Sequence, residues 1–254
     1  PSIEPRNFSM IPLLPPGAPF PPVDRALRHP DGLLAAGGDL SVETLVRAYA
    51  RGIFPWYSQG DPILWWSPDP RTVLPCAELH VSRSLRRRLA RRRFRVTLDE
   101  AFADVLTACA EPRRDETGTW LLPEMRAAYL AMHDRALAHS LEVWMDGQLA
   151  GGIYGVALGR MFFGESMFSR RTDGSKIALA HLAAQLHAWG MPLIDCQMDT
   201  EHLRSLGARR LARHDFARRV DALVRQPGPA HWRLDAGLDP LAILPSSAES
   251  APIR

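Results

Sequence analysis

The chain has 254 residues, 46% of them hydrophobic, enough to bury the core of one large domain or of a small and a medium one, and too apolar for a disordered chain. A formal net charge of only +3 does not mark a nucleic-acid binder, so any basic surface must come from how the arginines are distributed. Three widely spaced cysteines (Cys76, Cys109, Cys196) exclude a disulfide framework, and no leader pattern or apolar run near the ~18 residues of a membrane span occurs; the reading is a soluble cytoplasmic protein.

The first segment, "MIPLLPPGAPFPPVDRALRHPDG", is dense in proline, which fixes φ and removes amide donors; it reads as an extended arm. "DLSVETLVRAYARG" reads as a helix with Ser41 as N-cap, an apolar face of Val42, Leu45, Val46 and Tyr49, and Gly52 as its stop. "GIFPWYSQGDPILWWSPDPR" reads as a rigid aromatic loop. Helices are predicted in "HVSRSLRRRLARRRF", over Leu98 to Cys109, and over Pro123 to Ala138.

From His139 the period changes. "HSLEVWMDGQLAGGIYGVALGRMFFGESMF" holds three β-rich runs parted by turns at Asp146–Gly147 and Gly159–Arg160. A helix from about Ser175 to Trp189, the strand "LIDCQ" and a short helix near His202 to Leu206 follow. An antiparallel meander, then helix, strand and helix, is an α+β arrangement. Predicted units are 1–70, a small N-terminal domain with the aromatic loop; 71–225, a catalytic domain; and 226–254, an extension with a mobile end.

Four stretches carry chemistry. In the arginine-rich helix Val81, Leu85 and Leu89 share one face, and Arg83, Arg87 and Arg91 share the opposite one. Each step of four residues advances ~6 Å, a match to successive phosphates. No acidic residue occurs from Val81 to Val96, so the face repels itself unless it meets an anion; the bland reading is a solvated helix face. Trp56, Tyr57, Trp65 and Trp66 are either a packing cluster or a stacking platform for an unpaired nucleotide. In "GRMFFGESMFS", Glu165 sits among Phe162, Phe163, Met167 and Phe168, which fit either plain core packing or a cavity for a bulky side chain.

In "LIDCQ", strand alternation puts Asp195 and Gln197 on one face and Cys196 on the other. Polar groups on an apolar strand are expensive unless used. No metal-ligand spacing, P-loop or dinucleotide fingerprint is present. "RRTDGSK" is a broken form of an acetyl-CoA pyrophosphate loop, with Lys176 where a small residue should admit the backbone to the phosphates.

With these residues in view the sequence resembles the leucyl/phenylalanyl-tRNA–protein transferases. The resemblance is carried by "GLLAAGGDLS", "GIFPWY", "ILWWSPDPR", "HVSRSL", "GTWL", "HSLEVW", "GGIYGVALGRMFFGESMFS", "SKIAL", "LIDCQ" and "HLRSLGA", from about Asp31 to Phe216. It implies a GNAT-type acetyltransferase-like C-terminal domain behind a small N-terminal one. The implied enzyme is an aminoacyltransferase that moves Leu or Phe, less readily Met, from aminoacyl-tRNA to the N-terminal amine of proteins beginning with Arg or Lys, marking them for N-degron degradation. No cofactor is implied, neither ATP nor coenzyme A, and the enzyme would act as a monomer without membrane or metal.

The resemblance also implies site roles. Gln197 would accept a hydrogen bond from the incoming amine, with Asp195 behind it as orienting and polarising group. Glu165 would meet the acceptor's cationic end or orient the site. Trp56 and Trp120 would hold the terminal adenosine, and Ile153, Phe162, Met167, Leu179, Leu182 and Ile194 would form the side-chain pocket. Arg83, Arg87 and Arg91 would follow the tRNA backbone. Two rival readings are an acyl-CoA-dependent N-acyltransferase and a non-catalytic RNA-binding module.

Overall fold

The structure, a computed structural model, describes residues 10–111 and 121–244. The proline-rich start contributes a two-residue strand, β1 (Leu13–Leu14), parallel to β2 (Leu33–Gly37). Helix α1 (Val42–Tyr49) follows, with Ser41 Oγ accepting from the amide of Thr44, and Gly52 at φ +70° turns the chain away. β3 (Phe54–Pro55) and β4 (Leu64–Trp66) complete a four-stranded sheet in the order β1-β2-β4-β3. The stretch expected to be an aromatic loop is therefore partly a hairpin. Trp65 and Trp66 are buried strand residues, and their indole N–H groups donate to the carbonyls of Gly37 (2.8 Å) and Trp56 (2.6 Å).

The larger unit runs through β5 (Arg71–Pro75), α2 (Arg83–Arg91), β6 (Arg95–Leu98), α3 (Phe102–Ala110) and α4 (Pro123–Asp134). Three long strands follow: β7 (Ala138–Met145), β8 (Gln148–Leu158) and β9 (Met161–Ser169). The chain ends with α5 (Gly174–Ala188), β10 (Leu193–Gln197), α6 (Glu201–Ser205), β11 (Arg209–Leu211), α7 (Arg213–Val224) and α8 (Pro240–Ile243). The sheet order is β11-β5-β10-β9-β8-β7-β6. The expected meander is present as β7 to β9, β6 adds an unexpected antiparallel strand beside β7, and β10 returns parallel to β9 after α5; the fold is α+β.

Element boundaries differ in three places. The helix expected from Leu98 begins at Phe102, because Arg95–Leu98 pairs with β7 and Asp99 at φ +60° breaks the chain between them. The helix expected to reach Ala138 ends at Asp134, where Ala136 at φ +54° redirects the backbone into β7. β5, β11 and α7 have no counterpart in the sequence expectation. β5 flanks β10 antiparallel and β11 pairs on its other side, so "LIDCQ" is a central strand.

Alternation along the strands divides the core. Val73, Tyr154, Phe163 and Leu193 pack with α1, α3, α4 and the small sheet, while their neighbours Leu74, Ile153, Phe162 and Ile194 pack with α2 and α5. The extension beyond Arg225 is partly laid down on that second face. Trp232 stacks on His139 (centroids 3.7 Å apart) and Leu244 is buried, whereas residues 245–254, where the mobile end was expected, lie outside the described residues.

Candidate active site

β9 and β10 pair only from Met161↔Leu193 to Phe163↔Asp195. Where pairing stops there is a cavity of about 390 Å³, with residues 164–167 of β9 on one side and 194–196 of β10 on the other. Ile153, Met167, Leu179, Ile194 and Leu203 give it an apolar wall, and Glu165, Ser166, Asp195, Cys196, Thr200 and His202 a polar edge. Four of the six expected pocket residues are on this wall. Phe162 and Leu182 are buried behind it in the same apolar cluster.

Glu165 accepts three hydrogen bonds. Tyr49 of α1 donates its hydroxyl to Oε1 at 2.7 Å, Tyr129 of α4 donates to Oε2 at 2.7 Å, and Gln197 Nε2 donates to Oε1 at 2.8 Å. Burial pushes the Glu165 carboxyl up to about 7; the two tyrosine hydrogen bonds and Arg71 oppose that rise, and Asp195 adds to it. The Gln197 carbonyl oxygen accepts nothing from the described residues, so the amide is oriented with its acceptor free.

Asp195 is placed differently from the sequence expectation. Asp195 opposes Val73 and Gln197 opposes Thr72, so Cys196 is the extra residue of a β-bulge and the simple alternation fails there. Gln197 takes φ +60°, a left-handed conformation costly for a side chain of this kind. Asp195 Oδ1 accepts from its backbone amide at 2.9 Å, which holds that turn. The same carboxylate receives Arg71 Nε at 2.8 Å and Nη2 at 2.6 Å, both side chains being 0% exposed. Asp195 therefore acts on the backbone of Gln197, and Glu165 holds its side-chain amide. Cys196, expected as packing on the far face, lines the cavity because the bulge turns it there.

Arg71, Tyr49 and Tyr129 are not legible as site residues in the sequence. A buried carboxylate calls for a cation, but 31 Lys and Arg residues offer no means of choosing one. Arg71 is held between the rings of Phe54 and Phe216, each 4.7 Å from its guanidinium carbon, and donates to the Gly52 carbonyl at 3.1 Å. Helical spacing presents Tyr49 only as part of an apolar face.

The remaining expected residues lie apart from the cavity wall or beyond view. Trp56 is half-buried, its ring 5.6 Å from that of Trp66, and is not on the wall; Trp120 lies outside the described residues. Arg83, Arg87 and Arg91 are exposed on α2 and make no ion pair among the described residues, opposite the buried Leu85 and Leu89. At the broken pyrophosphate loop, Asp173 sits at φ +65° with its carboxylate 3.0 Å from Arg88 and 3.7 Å from Lys176. Gly174 there abuts β8 so closely that a Cβ would stand 2.4 Å from the Ala150 carbonyl oxygen. A carboxylate at the helix start and tight backbone packing are a poor cradle for pyrophosphate. Among the described residues no group of His, Cys, Asp and Glu is arranged to hold a metal, and no helix is long and apolar enough to cross a membrane.

Comparison with known proteins gives a consistent result. The family model described as leucyl/phenylalanyl-tRNA protein transferase matches residues 73–221, and that of the transferase's N-terminal domain matches residues 38–69. The chain is 59% identical to the leucyl/phenylalanyl-tRNA–protein transferase of Aromatoleum aromaticum over 88% of its length and 94% of the relative's. It is 58% identical to that of Nitrosomonas europaea over 85% of its length and 92% of the relative's. Among solved structures it is similar to a GCN5-related N-acetyltransferase from Kribbella flavida (14% identity, TM-score 0.35, 63% of this chain and 57% of that one). With both of its segments matched in order, the chain belongs to the leucyl/phenylalanyl-tRNA–protein transferase family.

Proposed function

We propose that this protein, acting as a cytoplasmic monomer, transfers leucine or phenylalanine, and less readily methionine, from aminoacyl-tRNA to the N-terminal amine of proteins beginning with Arg or Lys, and so marks them for degradation. One observation carries the reading: an apolar wall and the Glu165 carboxylate share one cavity, and that carboxylate holds the Gln197 amide with its Oε1 accepting nothing from the described residues. The wall suits an unbranched or aromatic side chain, with Met167 adapting to its shape. β-Branched side chains are rejected sterically and charged ones by the cost of desolvation.

The donor ester lies at the polar edge, with its side chain against Ile153, Met167, Leu179 and Ile194, and with Phe162 and Leu182 backing that wall. Trp56 and Trp120 hold the terminal adenosine, and Arg83, Arg87 and Arg91 follow the acceptor-stem backbone. The amine donates to Gln197 Oε1, which orients its lone pair at the ester carbonyl. An amide is too weak a base to keep a proton, so Gln197 positions. Asp195 holds its backbone, and Arg71 holds Asp195. The aminoacyl ester supplies the driving force, and neither ATP nor coenzyme A is called for.

Incubation with labelled Leu-tRNA and a peptide beginning with arginine, without ATP or coenzyme A, tests the reading. Labelled peptide is the expected product, with none from a peptide beginning with alanine. No product from the arginine peptide overturns it.

A further inference from the structure

Three groups close a triangle beneath the cavity. Tyr49 Oη is 2.7 Å from Glu165 Oε1, Tyr129 Oη is 2.7 Å from Glu165 Oε2, and the two phenol oxygens are 2.8 Å apart. Each side of the triangle needs one proton. The phenols bring one each, and burial pushes both well above the ordinary tyrosine range, so neither gives its proton up.

With Glu165 ionised, both phenols donate to it, and the two phenol oxygens face each other with no proton between them. With Glu165 protonated, Oε2–H donates to Tyr129, Tyr129 donates to Tyr49, and Tyr49 donates to Oε1. Each member then donates once and accepts once. The Gln197 Nε2 bond to Oε1 fits both states. The triangle is complete only when Glu165 carries a proton.

We propose that Glu165 takes the proton of the acceptor's α-ammonium, and that Tyr49 and Tyr129 are positioning residues whose hydroxyls fix its two carboxylate oxygens. The proposal rests on the transferase reading above. The Glu165 carboxylate removes one proton, and the electron pair of that N–H bond stays on nitrogen. The neutral amine, oriented by Gln197 Oε1, attacks the ester carbonyl. The C–N bond forms, the C–O bond to the tRNA ribose breaks, a second amine proton goes to the departing ribose oxygen, and the third remains on the new amide. Glu165 afterwards releases its proton to solvent, which balances the reaction.

The surroundings suit this task. The Asp195 carboxylate and the Arg71 guanidinium act on Glu165 in opposite senses. Tyr154 lies beyond Tyr129 with its ring edge-on and its hydroxyl without a hydrogen-bond partner among the described residues, and Cys196 and His202 share the cavity edge. A carboxyl raised to about 7 stands close to the ~7.7–8 of an α-amine, so proton transfer between them is nearly level.

The test measures kcat/KM against pH, with an aminoacyl-adenosine donor and an arginine peptide, for wild type, Glu165→Gln, Tyr49→Phe and Tyr129→Phe. Glu165→Gln is expected to lose about 5–10-fold at pH 7, where roughly a tenth of an α-amine is neutral unaided, and to regain rate as pH passes ~8. Each tyrosine variant removes a donor to the ionised carboxylate, so its acidic limb is expected to move to higher pH. A wild-type rate in Glu165→Gln at pH 7, a loss equal at every pH, or an acidic limb unmoved in both tyrosine variants would overturn the proposal. Infrared titration without substrate adds an independent readout: a carboxyl band titrating near 7 in wild type and missing in Glu165→Gln is expected, and its absence from wild type also overturns it. If wild type makes no labelled peptide from Leu-tRNA, the transferase reading fails, while the infrared titration still reads the triangle.

Discussion

Arg71 reaches Asp195 through two hydrogen bonds, 2.8 and 2.6 Å long, in a place that neither side chain shares with solvent. The bidentate geometry satisfies both carboxylate oxygens, and the Gln197 amide uses the remaining capacity of Oδ1. Removing one partner leaves a buried charge, so Arg71→Ala should cost about 3–5 kcal/mol in urea unfolding. A paired Arg71→Met, Asp195→Leu variant should recover much of that stability yet stay impaired in turnover, because the amide of Gln197 then loses its anchor. Full turnover in the paired variant would remove Asp195 and Arg71 from site positioning.

Glu165 stores a different kind of cost. Its carboxyl is raised from 4.5 to about 7, so between those values the folded chain keeps a proton that the unfolded chain has lost. The stability it contributes is full below about 4.5, falls as pH rises, and is gone above about 7, a change of roughly 3 kcal/mol. Glu165→Gln cannot ionise. Denaturation midpoints should therefore favour this variant over wild type more at pH 8 than at pH 5, and a pH-independent difference would contradict the raised value.

Helix α2 buries one face and exposes the other. Leu85 and Leu89 are buried, while Arg83, Arg87 and Arg91 point outward with no ion pair among the described residues. Replacing the three arginines with alanine should leave thermal stability nearly unchanged. It should weaken tRNA binding and flatten the dependence of log K on log salt, by roughly 0.7–0.9 for each phosphate that is no longer neutralised. An unchanged slope would place the tRNA elsewhere. The β10 strand shows the opposite case, in which the element's type is foreseeable and its detail is not. Alternation predicts two polar side chains aimed together, whereas the bulge at Cys196 sends Asp195 into the core toward Arg71 and Gln197 toward Glu165.

Across the molecule, the large sheet is covered on both faces, and the C-terminal extension belongs to one of those covers. Trp232 stacks on His139 and lies edge-on to Trp189, the Asp235 amide donates to the buried Gln185 Oε1 at 2.8 Å, and Arg86 donates to the Leu244 carbonyl at 3.0 Å. Proline- and serine-rich composition suggests mobility because it signals little apolar packing, but a single tryptophan in the right place is enough to dock a strap. Trp232→Ala should destabilise the fold by about 2–3 kcal/mol, read from denaturant midpoints. No change would mean that the strap lies loosely on the sheet.

Periodicity and turn chemistry were sufficient for the helix after Ser41, the β7–β9 meander, the helix before "LIDCQ" and the outward arginine face, because each is written in neighbours three, four or two positions apart. Of the six apolar residues that the resemblance implied for a pocket, four line one cavity. Partners distant in the chain were not legible: Arg71 and Asp195 are 124 positions apart, Tyr49 and Glu165 116. Local pattern cannot select one arginine or one tyrosine from many at such separations. Selection came from packing β5 against β10 and α1 beneath β9, which brought the charges and hydroxyls within hydrogen-bond reach and excluded the water that would otherwise have satisfied them.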